Sequence, residues 1–242
     1  MRRALAIVAT GAAALVAAAP AAADTARPGA AALVDQMVVF RDGTAPMNLV
    51  RAREITARVG RRRCTVAAGT PLAALLRSRV APVGLRDFGR CSRRPRDGGG
   101  LFVRSIGSDR NRGQDGWVYK VGNRAGTAGA ADPTGPFGRG RLRGRARITW
   151  FYCRLGPSGS CQRTLDIRSI ANEGGEITVT VRAYDDDGRG RPAAGATVRA
   201  GDQSAVADGQ GVARLALPAG THQVHAEQAG RVRPFPEEVR VG

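Results

Sequence analysis

Two hydrophobic periods run through this chain, and the shorter one dominates. At residues 54–59, Ile55, Ala57 and Val59 alternate with polar neighbours, which predicts a half-buried strand. Arg61-Arg62-Arg63 follows as a charged turn, and Cys64-Thr65-Val66 resumes as a second strand. Helical spacing occurs once. Leu72, Leu75 and Leu76 fall at i, i+3 and i+4 behind Thr70-Pro71. Thr caps a free backbone N–H and Pro is tolerated in the first turn, so a helix starts here and lays its apolar face on a sheet.

Further strands are predicted over Val83 to Phe88, Leu101 to Ile106, Gly116 to Val121 and Arg145 to Cys153, with Gln162 to Ile170 closing the unit. Gly122 to Gly144, rich in Gly, Pro and Arg, reads as an irregular insertion. One helix across a mixed sheet is a β-grasp-like arrangement, an α+β module in a mainly β chain. Residues 172–175, Asn-Glu-Gly-Gly, read as a linker. Beyond them Ile177, Val179 and Val181 alternate with Thr178, Thr180 and Arg182, and short strands recur between Gly-containing turns. That spacing, without helical periodicity, predicts a small antiparallel β-sandwich over residues 176–242.

The amino terminus changes the setting. Met1-Arg2-Arg3, an apolar run from Ala4 to Ala19, Pro20 and Ala21-Ala22-Ala23 read as a secretory signal peptide over residues 1–23, the alternative being a signal anchor that stays in the membrane, which the Ala-rich, Pro-interrupted run disfavours. Residues 24–47 read as a mostly disordered leader, with a short strand at Met37 to Phe40. Residues 48–171 are the first domain. The expected address is secreted, extracellular or periplasmic. No membrane span is expected after cleavage, and the mature chain is expected to be a monomer.

Export permits disulfides. Cys64, Cys91, Cys153 and Cys161 allow three pairings. Cys153 and Cys161 flank the turn-rich Gly156-Pro157-Ser158-Gly159, which favours a local staple and leaves Cys64 with Cys91. The close cysteine or histidine spacing of a zinc site is absent. No metal and no cofactor is expected.

Charge is divided unevenly. Residues 24–173 carry 28 basic and 11 acidic residues, against 8 and 9 in residues 174–242. Lys120 is the lone lysine, and arginine carries the rest. A basic domain joined to a neutral one points to a polyanionic neighbour such as an envelope polymer, or to a surface that keeps the protein soluble. Export makes nucleic acid a poor partner in vivo.

Gly116-Trp117-Val118-Tyr119-Lys120-Val121, followed after a loop by the strand from Gly144 through Ile148 and Trp150 to Tyr152, resembles the transcobalamin C-terminal-like family over about residues 48–168. Gly69-Thr70-Pro71-Leu72 fits that family's turn into its helix. The resemblance implies a β-grasp domain and, by extension, a cobalamin-type small-molecule ligand. Gly122-Asn123 and Gly144-Arg145 depart from the family pattern where a ligand-facing loop would sit. The second domain resembles carboxypeptidase regulatory-like and prealbumin-like sandwiches through Gly190-Arg191-Pro192-Ala193-Ala194-Gly195-Ala196-Thr197-Val198 and Ala207-Asp208-Gly209-Gln210-Gly211. Such modules serve as spacers or adhesion elements.

Two sets of residues are candidates for binding. Trp117 with Tyr119, and Trp150 with Tyr152, each share one strand face. They form either core or a flat stacking surface for a sugar or corrin ring. Arg139, Arg141, Arg143, Arg145 and Arg147 recur at period two. Extended, they form an arginine stripe suited to phosphates or carboxylates; otherwise they lie on a solvated loop. His222 and His225 face opposite sides of a strand, and Asp185-Asp186-Asp187-Gly188 reads as a hairpin turn rather than a calcium loop. Ser158 and Ser160 lack the context of a nucleophile. The expectation is a non-enzymatic binding or surface-interaction protein. The alternatives are a structural spacer held on anionic envelope polymer by its basic domain, and a cobalamin-type carrier.

Overall fold

The computed structural model describes residues 31–138 and 141–242. The signal-peptide segment and Arg139 lie outside these residues. The described residues are mainly β, with one α-helix.

The first module is built on a five-stranded mixed sheet. Strands β1 (Leu33–Val39) and β2 (Met47–Arg51) form an antiparallel pair at its beginning. After them come a hairpin of β3 (Ile55–Val59) and β4 (Arg62–Val66), then helix α1 (Pro71–Ser78). Next are β5 (Val83–Asp87), a 3-10 turn at Pro95–Gly100, β6 (Leu101–Ile106) and the short β7 (Asp109–Arg110), whose strands make a second small sheet. β8 (Gly116–Val121), β9 (Arg124–Ala125) and β10 (Arg147–Cys153) complete the large sheet in the order β2-β1-β10-β8-β9, with β1 parallel to β10.

Helix α1 forms as its sequence predicts. Thr70 Oγ1 accepts the Ala73 amide, and Leu72 and Leu75 are buried. They meet Val34, Val38, Ile148 and Trp150 from the sheet in one core. Cys64 is bonded to Cys91 and Cys153 to Cys161, the favoured pairing.

Two boundaries are corrected. Residues 24–47 were expected as a mostly disordered leader with a short strand at Met37 to Phe40; the strand is present but longer, Leu33–Val39, and it is internal to the large sheet. Its Val34 and Val38 are fully buried. The pairing that holds it, to β10 more than a hundred residues away, is tertiary and leaves no local signature. Residues 172–175 were expected as a linker, and the strand before them as part of the first domain. Instead β11 (Thr164–Glu173) and β12 (Glu176–Tyr184) form one antiparallel hairpin. Gly174 and Gly175 are its two-residue turn, both at positive φ, as a type I′ turn requires. The second module therefore begins at Thr164.

That module is a sandwich. One sheet holds β11 and β12, with β13 (Gly190–Pro192) and β16 (Val212–Ala216) pairing along β12. The other runs β15-β14-β17-β18 from β14 (Thr197–Ala200), β15 (Gln203–Val206), β17 (Gly220–Glu227) and β18 (Glu237–Val241). Between them Ile177, Val179, Val181, Val198 and Val224 are fully buried. The modules abut. Val232 packs with Phe151 and Cys153 on the face of the large sheet opposite the helix, and it exchanges backbone hydrogen bonds with Arg163 and Leu165.

Candidate functional site

The four aromatic candidates come together, but inward. Register sets Trp150 opposite Tyr119 and Tyr152 opposite Trp117. All four belong to the core under α1, with Trp117 2% exposed and Trp150 1%. Trp117 Nε1 donates to the Asp109 carbonyl at 2.8 Å, and the Tyr119 hydroxyl to the Ala128 carbonyl at 3.0 Å. Burial, and secondarily the charge of Asp132, pushes the Tyr119 phenol up to about 12. The stacking-surface alternative is thus corrected: large apolar rings on the helix-facing side of a sheet are worth most when dry. The exposed aromatics are elsewhere. Phe88 and Phe102 meet edge-to-face at 5.9 Å on the small sheet, with the Arg86 guanidinium 4.6 Å from the Phe88 ring centre.

The arginine stripe is also corrected. Residues 141–146 are a loop, with Arg145 at positive φ, so period two is lost before β10 begins. Arg141 hydrogen-bonds the Gly135 carbonyl, Arg145 pairs with Asp35 at 3.5 Å, and Arg147 pairs with Glu237 of the sandwich. Arg143 is exposed. Arg145, itself in the left-handed region, turns the chain and ends the extended run that the spacing implied.

Lys120 has a role that sequence reasoning missed. Its side chain is fully buried at the junction of the modules. Nζ donates to the Asp185 and Tyr184 carbonyls at 2.8 and 3.2 Å, and reaches Thr164 Oγ1 and Asp186 Oδ1 at 3.4 Å. Burial lowers its pKa, and the Asp186 carboxylate works against that. The one lysine of the chain binds β8 of the first module to the β12 hairpin of the second. The Asp185-Asp186-Asp187 turn, read as a plain hairpin, is its receptor.

Arginines without carboxylate partners gather in two places. One is a groove of about 710 Å³ between the modules. Arg41 and Arg154 line it from the first module, Arg231 and Arg233 from the second, with Phe40 and Tyr152 among its apolar walls. Arg41 lies 5.1 Å from the Tyr152 ring centre, a cation–π contact that holds the guanidinium without neutralising it. Burial, then the charges of Arg191 and Arg163, holds the Arg231 guanidinium below its ordinary value. Glu227, the carboxylate of the groove, is engaged by Arg199 at 2.9 Å. None of the four arginines has an ion-pair partner among the described residues.

The second gathering is the outer face of the β3–β4 hairpin, where Arg58, Arg63 and Arg93 line a cleft of about 630 Å³. Among the described residues, no group of three or more His, Cys, Asp and Glu side chains is placed to hold a metal ion. No described helix is long and apolar enough to cross a membrane. Comparison with family models, curated proteins and solved structures finds no match.

Proposed function

We propose that this is an exported, non-enzymatic binding protein that holds an anionic envelope polymer in the groove between its two modules. The groove's four arginines without carboxylate partners carry this reading. Guanidinium groups are planar, permanently charged forks that match carboxylate and phosphate oxygens. With its carboxylate Glu227 taken by Arg199, the groove's remaining charges are of one sign, and such a groove focuses field and concentrates anions. Both modules contribute arginines, and the contacts of Lys120 and Val232 fix their separation, so the site is preorganised.

A spacer held on the same polymer uses the same groove and differs only in what it presents to a third party. The cobalamin-type carrier suggested by the family resemblance has less support, because its stacking residues are core. The test is retention on immobilised envelope polymers of graded charge. Full-length protein is expected to bind acidic polymers and to elute with salt, and the variant Arg231→Gln with Arg233→Gln to elute earlier. Equal retention on neutral and acidic polymers would remove the proposal.

A further inference from the structure

The β3–β4 hairpin places like charges against each other. Val59 pairs with Arg62 across the two-residue turn Gly60-Arg61, so Arg58 stands directly opposite Arg63 and Thr56 opposite Thr65. Ile55 and Val59 turn inward to the core, as does the fully buried Cys64. Arg58, Arg63, Thr56 and Thr65 therefore share the other face, on which Thr56 and the two arginines are exposed and Thr65 is buried. Like charges directly opposite destabilise an antiparallel pair. Neither arginine has an ion-pair partner among the described residues, although neighbouring Arg62 pairs with Asp87 at 3.5 Å.

A third arginine joins them. The Cys64–Cys91 bond and the hydrogen bond from the Thr65 amide to the Ser92 carbonyl hold the following loop against β4. Arg93 thereby lines the same cleft. Between the arginines, Thr56 Oγ1 and Thr65 Oγ1 lie 3.0 Å apart. One hydroxyl of the pair donates to the other and the second keeps its proton free to donate.

We infer that this face of the hairpin is a second anion site, built for a tetrahedral oxyanion ester, phosphate or sulfate, carried on a larger molecule. Three guanidinium forks plus a hydroxyl offer more donors than the two oxygens of a carboxylate accept, and they suit a group with three or four oxygens. The cleft, about 630 Å³, exceeds what a lone oxyanion fills, so the rest of an esterified ligand has room. Ligand charge relieves the Arg58–Arg63 repulsion, which links binding to stability.

This goes beyond the inter-module groove and is tested apart from it. Thermal unfolding of the full chain is followed in inorganic phosphate, in sulfate, in dimethyl phosphate as a diester probe and in acetate, each against chloride at matched ionic strength. Phosphate or sulfate at roughly ten times its Kd is expected to raise Tm by about 3–6 °C, with acetate matching chloride. A dimethyl phosphate response equal to that of phosphate assigns the site to diesters; a smaller one assigns it to terminal esters.

Arg58→Thr removes the repulsion, so it is expected to raise Tm in chloride and to abolish the phosphate increment. Arg93→Gln is expected to weaken phosphate binding about tenfold. Arg231→Gln with Arg233→Gln removes the groove's share of anion binding, and in that background the phosphate increment that depends on Arg58 is expected to persist. The inference is overturned if phosphate and sulfate act as chloride does, or if Arg58→Thr retains the increment.

Discussion

The two modules solve the same problem with different materials. The sandwich buries Val, Ala, Leu and Ile from evenly spaced strands around tight glycine turns. The first module needs two disulfides, a capped helix and most of the chain's aromatic rings. With the boundary at Thr164, residues 24–163 hold 27 basic and 9 acidic residues, whereas residues 164–242 hold 9 and 11. The difference teaches where the chain spends stability. The module that carries the excess of arginine is the one tied with covalent bonds and large rings, since self-repulsion destabilises a compact state. The neutral module stands on alternation alone.

That contrast can be broken at the junction first. Replacing Lys120 with Met leaves the Tyr184 and Asp185 carbonyls and the Asp186 carboxylate without their cation. Asp186 is partly solvated, so the cost comes mainly from the carbonyls left without the ammonium, at about 1.5–3 kcal/mol for a hydrogen bond to a charged group. Calorimetry is expected to resolve one unfolding transition into two. A single unshifted transition would mean that the modules are not coupled through this residue.

Next is the covalent framework. Loop-closure entropy assigns about 3.6 kcal/mol to Cys64–Cys91 and about 2.6 kcal/mol to Cys153–Cys161. The Cys64→Ser, Cys91→Ser double variant is expected to lower the first module's denaturant midpoint more than the Cys153→Ser, Cys161→Ser pair. The reverse order would contradict the contrast as drawn.

Alkaline pH gives a smaller, signed effect. The Tyr119 pKa is raised above its ordinary value of 10.0 to about 12 in the fold, so its contribution is complete below pH 10 and disappears as pH climbs through 12. The loss is on the order of 2 kcal/mol. Tyr119→Phe is expected to flatten that fall relative to the parent; an unchanged profile would rule out the buried phenol as its source. Smallest is the sandwich. Ile177→Val, at a fully buried position, is expected to lower only the second module's stability, by about 1 kcal/mol. A larger effect on the first module would contradict the separation of cores.

What the sequence revealed followed locality. The helix start at Thr70-Pro71, the alternation of Ile177, Val179 and Val181, and the staple at Cys153 and Cys161 are short-range signals, and each is where it was expected. Only the end of β1 was read, as a short strand at Met37 to Phe40; its extent from Leu33 and its internal place were missed because a parallel partner more than a hundred residues distant decides them. Gly174-Gly175 was read as slack chain, although two glycines between alternating runs also specify a tight hairpin. The face of the aromatic pairs was ambiguous because period two fixes which residues share a side, not which side is dry. The Arg58–Arg63 pair was available in principle: a two-residue turn at Gly60-Arg61 sets the register that opposes them. The inter-module groove was not, since its arginines come from three separated segments.

The central claim is that unneutralised arginines between the modules bind a polyanion. The most direct measurement is the affinity of the full chain for one linear polyanion across a salt series. Four engaged guanidinium groups predict a slope of log K against log salt of about −3. The Arg231→Gln, Arg233→Gln variant should shed about half of that slope. A parent slope near zero, or an identical slope in the variant, would contradict the account.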